Sequence, residues 1–281
     1  MEILKTIKDA KDYIRKLKEQ GSTVGLVPTM GYFHEGHLEL MRCSIKKGHE
    51  TIVSLFVNPT QFGPIEDFDS YPKDLQRDLD LAKKVGVKAI FMPAIKDMYP
   101  EGYKTYVEVK GLSNVLCGKH RPEHFRGVTT VVLKLFNIIQ PHEAFFGQKD
   151  GQQVIIIKKM IQDLDLDIPI EVVPTAREED GLAMSSRNAY LSPLERQAAP
   201  ILYQTLKLLE GLILKGEKNV AILIDAGKDS ILKEPLAELQ YIDIRSASDL
   251  SELEELKGEF MIAIAIKVGT TRLIDNMVLK V

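Results

Sequence analysis

Two histidines, His34 and His37, flank Gly36 in the stretch Pro28-Thr29-Met30-Gly31-Tyr32-Phe33-His34-Glu35-Gly36-His37. An apolar run ends at Val27 before them, and an amphipathic helical pattern begins at Leu38 after them. Their spacing puts both imidazoles on one side of a first helical turn, where each can donate a hydrogen bond to a phosphate oxygen. The carboxyl end of a strand and the amino end of a helix bring backbone N–H groups and a favourable dipole to the same point. Gly31 and Gly36 lack a β-carbon, so a nucleotide can approach the backbone closely at both. The plain alternative makes His34 a helix cap and His37 a surface histidine. Zinc fits less well, because His-Glu-Gly-His lacks the i, i+4 spacing of a HExxH helix.

Further polar groups follow other apolar runs. Asn58-Pro59-Thr60-Gln61-Phe62-Gly63-Pro64 ends a second strand pattern, and the Gln61 amide suits a small hydroxy acid because it both donates and accepts. A Pro/Gly turn in which Gln61 merely satisfies backbone groups is the competing reading. Phe145-Phe146-Gly147-Gln148-Lys149-Asp150-Gly151-Gln152-Gln153 offers Lys149 to phosphates and Asp150 to ribose hydroxyls, although Asp150 and Gln153 also approximate a helix capping box. The loop Arg177 to Asn188 carries Ser185, Ser186 and Arg187, two hydroxyls and a guanidinium able to close over phosphates. A basic run, Lys119 to Arg126, either faces an anionic ligand or is a solvated helix entry.

These groups need a scaffold. Strand patterns at 23–27, 51–57, 89–92, 144–146 and 168–173 alternate with helical patterns at 38–47, 75–85, 128–139 and 154–164. Runs such as Thr51 to Val57 are apolar on both faces, as in a parallel sheet covered by helices on both sides. Gly48 and Gly86 fall where helix C-terminal caps belong. After Pro174 the rhythm becomes a helix over 193–215, capped by Ser192 and opened by Pro193, then a helix over 220–233 and strands at 239–245 and 260–267. The expected fold is α/β: a Rossmann-like parallel sheet over residues 1–175 and a smaller α+β domain over 176–281.

The 281 residues, 44% hydrophobic and 27% charged, suffice for one large or two medium cores and hold no tract biased toward disorder. A net charge of −3 with interspersed signs offers no footprint for nucleic acid. Cys43 and Cys117 stand far apart in sequence, which fits a reducing, cytoplasmic setting. The residues from Met1 to Lys5 lack the apolar core of a signal peptide, and the segment 128–139 is too short to span a bilayer.

Together, Thr29-Met30-Gly31…His34-Glu35-Gly36-His37, Phe56 to Phe62, Arg121-Pro122…His124-Phe125…Gly127-Val128, Phe146 to Asp150 with Gln152-Gln153, Gly181 to Asn188 and Gly269 to Asn276 resemble the pantothenate synthetases, the pantoate–β-alanine ligases of the HxGH nucleotidyltransferase superfamily. The resemblance runs in order through nearly the whole chain. It implies a cytoplasmic homodimer with a C-terminal lid domain. The implied reaction condenses pantoate with β-alanine through a pantoyl-adenylate, using ATP and Mg²⁺ and releasing AMP and pyrophosphate.

Residue by residue, it implies His37, His34 and Lys149 as catalytic groups, with His37 the acid/base residue. It implies an ATP site of Met30, Gly31, His34, Gly36, His37, Gly147, Gln148, Lys149, Asp150, Ala176, Met184, Ser185, Ser186 and Arg187. Gln61 and Gln153 would hold pantoate, Gln61 would also meet β-alanine, and no metal ligand is identified. Phe33 stands where the family more often has Leu. Two rivals are an adenylyltransferase that keeps the nucleotide on its product, and a non-catalytic nucleotide- or RNA-binding relative of the synthetases. Release of free AMP separates the first, and the acidic balance opposes RNA.

Overall fold

A computed structural model describes residues 1–64 and 66–281. The strands are β1 (Glu2–Leu4), β2 (Val24–Thr29), β3 (Glu50–Leu55), β4 (Ala89–Phe91), β5 (Glu143–Gly147), β6 (Ile170–Val173), β7 (Ala237–Ser246), β8 (Glu259–Val268) and β9 (Thr271–Lys280). The helices are α1 (Ile7–Glu19), α2 (Glu35–Lys46), α3 (Leu75–Val85), α4 (Ile95–Met98), α5 (Cys117–His120), α6 (His124–Ile139), α7 (Gly151–Asp163), α8 (Pro193–Ala198), α9 (Ile201–Leu214) and α10 (Val220–Ile231). None of the described helices is long and apolar enough to cross a membrane.

Two compact units divide the chain. The first comprises 1–114, 118–147 and 156–174; the second comprises 115–117, 148–155 and 175–281.

In the first unit six parallel strands form one sheet in the order β1-β4-β3-β2-β5-β6. Leaving aside the short edge strand β1, chain order runs outward from β2 to β3 and β4, then restarts on the other side with β5 and β6. That reversal makes the carboxyl ends of β2 and β5 the topological switch point, where open α/β sheets bind ligands. Central strands β2 and β3 are buried along most of their length. On one face Leu38, Leu40 and Met41 of α2 and Ala82 of α3 pack with Val27, Val53, Ile90 and Phe145. Gly25 lets α2 lie close to β2, since a β-carbon there would stand 2.2 Å from Ser44 Oγ.

The second unit is built on the antiparallel sheet β7-β8-β9. Ile262, Ile264 and Ile266 of β8 join a core with Leu202, Leu206 and Leu209 of α9 and Leu223 and Ile231 of α10. The helix expected to run over 193–215 is broken. Pro200 has no N–H to offer the preceding turn, so α8 stops at Ala198 and α9 restarts at Ile201. Ser192 caps α8 as expected and forms a full capping box: its N–H donates to Glu195 Oε2 at 2.8 Å and its Oγ accepts from the Glu195 N–H at 3.4 Å. Replacing Ser192 by Ala is expected to cost about 1 kcal/mol of stability. Thermal unfolding checks this, and an unchanged midpoint would mean that the box adds nothing to an already stable helix start.

Candidate functional site

The turn from β2 into α2 is held in an unusual shape. Gly31 (φ 87°) and Tyr32 (φ 52°) both lie in the left-handed region. The fully buried carboxylate of Asp78, on α3, accepts the N–H groups of Tyr32 and Phe33 at 2.7 Å each. Burial pushes the Asp78 carboxyl above its ordinary value, against the pull of those two donors. A β-carbon on Gly31 would sit 3.0 Å from Asp78 Oδ2 and 3.3 Å from Leu55, so glycine is needed here for the backbone angle and for close packing.

Beyond the turn, His34 takes the extended N-cap position of α2 and His37 the third helical position. Their rings stand 4.1 Å apart, centroid to centroid. The His34 N–H donates to His37 Nδ1 at 3.3 Å. A neutral His37 that accepts at Nδ1 carries its proton on Nε2, so the ring presents a donor there. The His37 side chain thus takes part in closing the N-terminus of α2.

The chain leaving β3 forms a short 3₁₀ turn, Pro59–Gln61, centred on buried Asn58. Asn58 Nδ2 donates to Gln61 Oε1 at 3.0 Å and to the Gly127 carbonyl at 3.1 Å. Its Oδ1 accepts from the Tyr99 hydroxyl at 2.8 Å. Burial pushes that hydroxyl up to about 12, so it stays a donor. With Oε1 bound to Asn58, the Gln61 amide points its NH₂ toward Met30 Sδ at 3.3 Å. A thioether is a weak acceptor, and a carboxylate or hydroxyl can readily replace it. Met30 and Gln61 are therefore neighbours in the first unit, and Met30 belongs to the same chain segment as Gly31, His34, Gly36 and His37.

β5 ends at Gly147, where an added β-carbon would meet no atom within 4 Å. The 3₁₀ turn Gln148–Asp150 follows and leads directly into α7. Within the second unit Asn276 of β9 clasps this turn. Its Nδ2 donates to the carbonyls of Gln148 and Lys149 at 2.9 Å each, and its Oδ1 accepts from Gln148 Nε2 at 2.7 Å. Lys149 Nζ stands 3.5 Å from Asp150 Oδ1. Gln152 is structural: it accepts from the Cys117 N–H at 3.0 Å and donates to the Val115 carbonyl at 2.8 Å. Gln153, the next residue of α7, is partly exposed.

The 176–184 segment folds into a small hairpin. The Met184 N–H donates to the Ala176 carbonyl at 2.9 Å, so these two residues are adjacent, and Arg177 bridges Ala183. Arg177 binds the buried Asp275 carboxylate with both terminal nitrogens, at 2.6 and 3.1 Å, and lies over the Tyr203 ring. Burial pushes the Asp275 carboxyl up, and the Arg177 guanidinium pulls it back. Ser185 caps the following 3₁₀ turn by accepting from the Arg187 N–H at 3.3 Å, and Ser186 is buried in that turn.

Residues 2–278 match the family model described as Pantoate-beta-alanine ligase. The chain belongs to the pantoate–β-alanine ligase family. Among curated relatives of this ligase family, the pantothenate synthetase of Acetivibrio thermocellus is 54% identical over 281 residues, covering all of both chains. That of Caldicellulosiruptor saccharolyticus is 53% identical, again over the whole of both. Among solved structures, the pantothenate synthetase of Thermus thermophilus superposes with a TM-score of 0.94 at 40% identity, covering 99% of each chain. The pantoate–β-alanine ligase of Francisella tularensis, complexed with β,γ-ATP and β-alanine, gives 0.80 at 35% identity, covering 99% of this chain and 97% of that one. The expected fold, a Rossmann-like parallel sheet with a smaller α+β part, is the fold of these ligases, and the smaller part is built on an antiparallel sheet.

Sequence reasoning gave no role to Asp78, Asn58, Asp275 or Asn276, the buried residues that hold the turns in place. Asn58, Asp275 and Asn276 lie inside the stretches that carry the resemblance, whereas Asp78 carried no local signal.

Proposed function

We propose that this chain condenses pantoate with β-alanine at the expense of ATP, through a pantoyl-adenylate, with release of AMP and pyrophosphate. The observation that carries the reading is the pair of imidazoles 4.1 Å apart at the carboxyl end of β2, next to the switch point of the sheet, in a chain of this ligase family. The Francisella relative, complexed with β,γ-ATP and β-alanine, supports both compounds as substrates here.

The chemical obstacle is that a carboxylate resists attack by an amine until its oxygen becomes part of a good leaving group. The pantoate carboxylate attacks the α-phosphorus of ATP, forming the acyl–phosphate bond and breaking the bond to pyrophosphate. Negative charge then grows on the departing pyrophosphate. His34 and His37 donate to it, and Lys149 and Arg187 balance it with fixed charge, which stabilises the transition state more than the ground state. The β-alanine amine next attacks the acyl carbon, AMP leaves, and the amine loses a proton.

Gln61 and Gln153 hold pantoate, and Gln61 also meets β-alanine. Gly147 and Asp150 take the ribose, with Gly147 open enough for close approach. Met30, Gly31, Gly36 and Gln148 line the nucleotide, Ala176 and Met184 flank the adenine, and Ser185 and Ser186 hold phosphates. Among the described residues no cluster of three or more His, Cys, Asp or Glu side chains could hold a metal ion. We also propose Mg²⁺ as the ion that accompanies ATP; carried by its phosphates, it would neutralise charge there. We further propose a cytoplasmic homodimer.

The test is to incubate the protein with Mg²⁺ and ATP, adding pantoate and β-alanine separately and together. Pyrophosphate is expected to require pantoate, with AMP and pantothenate in equal amounts once β-alanine is present. An adenylated product without free AMP would instead favour the adenylyltransferase reading.

A further inference from the structure

Within the basic run ahead of α6, Arg121 and His124 reach the turn that carries Gln61. Arg121 binds Glu66 with two nitrogens, Nε donating to Oε1 at 2.8 Å and Nη2 to Oε2. The side chains of this pair are 12% and 22% exposed, so its charges are largely withdrawn from solvent and compensate each other. Arg121 Nη2 also reaches the main-chain carbonyl of Gln61 at 3.3 Å. His124 Nδ1 contacts the same carbonyl at 2.7 Å. Arg121 Nη1 donates to His124 Nε2 at 3.1 Å, which makes Nε2 the acceptor and leaves Nδ1 with the proton that bonds the carbonyl. Two donors therefore converge on one oxygen.

The opposite side of the turn is fixed as well. Asn58 orients the Gln61 amide, and Gly127 lets the turn press onto α6, since a β-carbon there would stand 2.2 Å from the Thr60 carbonyl oxygen. A guanidinium whose donors are directed in this way is poorly disposed to receive a substrate anion.

We propose that Arg121, braced by Glu66 and aided by His124, is a positioning residue that acts on pantoate through Gln61. It locks the Gln61 backbone so that the amide, already oriented by Asn58, stays aimed at the substrate. The inference rests on the reading that Gln61 grips pantoate.

The experiment measures kcat and the KM for pantoate and for ATP, with thermal midpoints, in the wild type, Gln61→Ala, Arg121→Ala, Arg121→Lys, His124→Ala and the double variant Arg121→Ala/Gln61→Ala. Gln61→Ala is expected to raise the pantoate KM about tenfold or more with the ATP KM little changed. Arg121→Ala should shift the same constant in the same direction. Arg121→Lys should not restore it, because one ammonium cannot serve Glu66, His124 and a carbonyl together. The double variant should be within about twofold of Gln61→Ala alone, the non-additivity of residues that act as a unit.

Multiplying effects in the double variant would overturn the proposal and point to direct contact between Arg121 and a substrate. An unchanged pantoate KM in Arg121→Ala would overturn it too. If Arg121→Ala does not fold, His124→Ala decides: a several-fold rise in pantoate KM supports the clamp, and no change overturns it. Wild-type pantoate KM in Gln61→Ala would remove the reading of Gln61, and the inference with it.

Discussion

Replacing His37 by Ala is expected to lower kcat by about a hundredfold or more, the scale of losing one preorganised donor to charge that develops in the transition state. The direction follows from the tautomer. His37 Nδ1 accepts the His34 N–H at 3.3 Å, so the neutral ring donates from Nε2. That donor gains most when pyrophosphate charge grows, so kcat should fall much further than the apparent affinity for ATP. The fold should survive, because the variant loses one helix-start hydrogen bond, worth about 1 kcal/mol. Pantoate-dependent pyrophosphate release, measured beside circular dichroism, separates the outcomes. Near-normal turnover would remove His37 from the chemistry, whereas lost ellipticity would assign the effect to the fold.

The sequence made this pair legible because its information is local. Two imidazoles around a glycine, after an apolar strand and before a helix, carry their own geometry. Local signals also served α3, found at Leu75–Val85 as its periodicity predicts, and ended by Gly86 at φ 101°. What the sequence hid depends on partners far along the chain. Asp78 reads as one more acid on an exposed helix, and its use appears only when α3 lies beside a turn more than forty residues earlier. Asn276 holds carbonyls 127 and 128 residues before it.

Strand β9 shows no clean pattern because Arg272, Asp275 and Asn276 interrupt its apolar residues, and Asp275 and Asn276 are groups that hold the second unit's turns. Strand β1 is only three residues long and makes no periodic pattern. Helix α1 buries Ala10, Ile14 and Leu17 on one face, a spacing diluted in the sequence by the charged residues between them.

Asp78 gives the second large effect. Asp78→Ala is expected to lower kcat roughly a hundredfold, because a displacement of about 1 Å at a reacting group is enough for that. It should also destabilise the chain by about 2 kcal/mol, by leaving buried N–H groups without an acceptor. Tyr32 at φ 52° is a costly conformation for a residue with a β-carbon, and such strain persists only where surrounding contacts over-determine it. The two 2.7 Å bonds from Tyr32 and Phe33 to one carboxylate supply that determination. Without them the turn can relax, and His34 and His37, which follow it directly, move with it.

Asp78→Asn refines the test. Its single amide oxygen can accept one of the two N–H groups, but its NH₂ then faces the other donor, so an intermediate loss is expected. Wild-type kcat in Asp78→Ala would mean that the turn keeps its shape through the burial of Phe33 alone. A loss in Asp78→Ala with Asp78→Asn falling between it and the wild type would tie the placement of the histidines to the number of acceptors offered to the turn, and so to a residue that never needs to touch ATP.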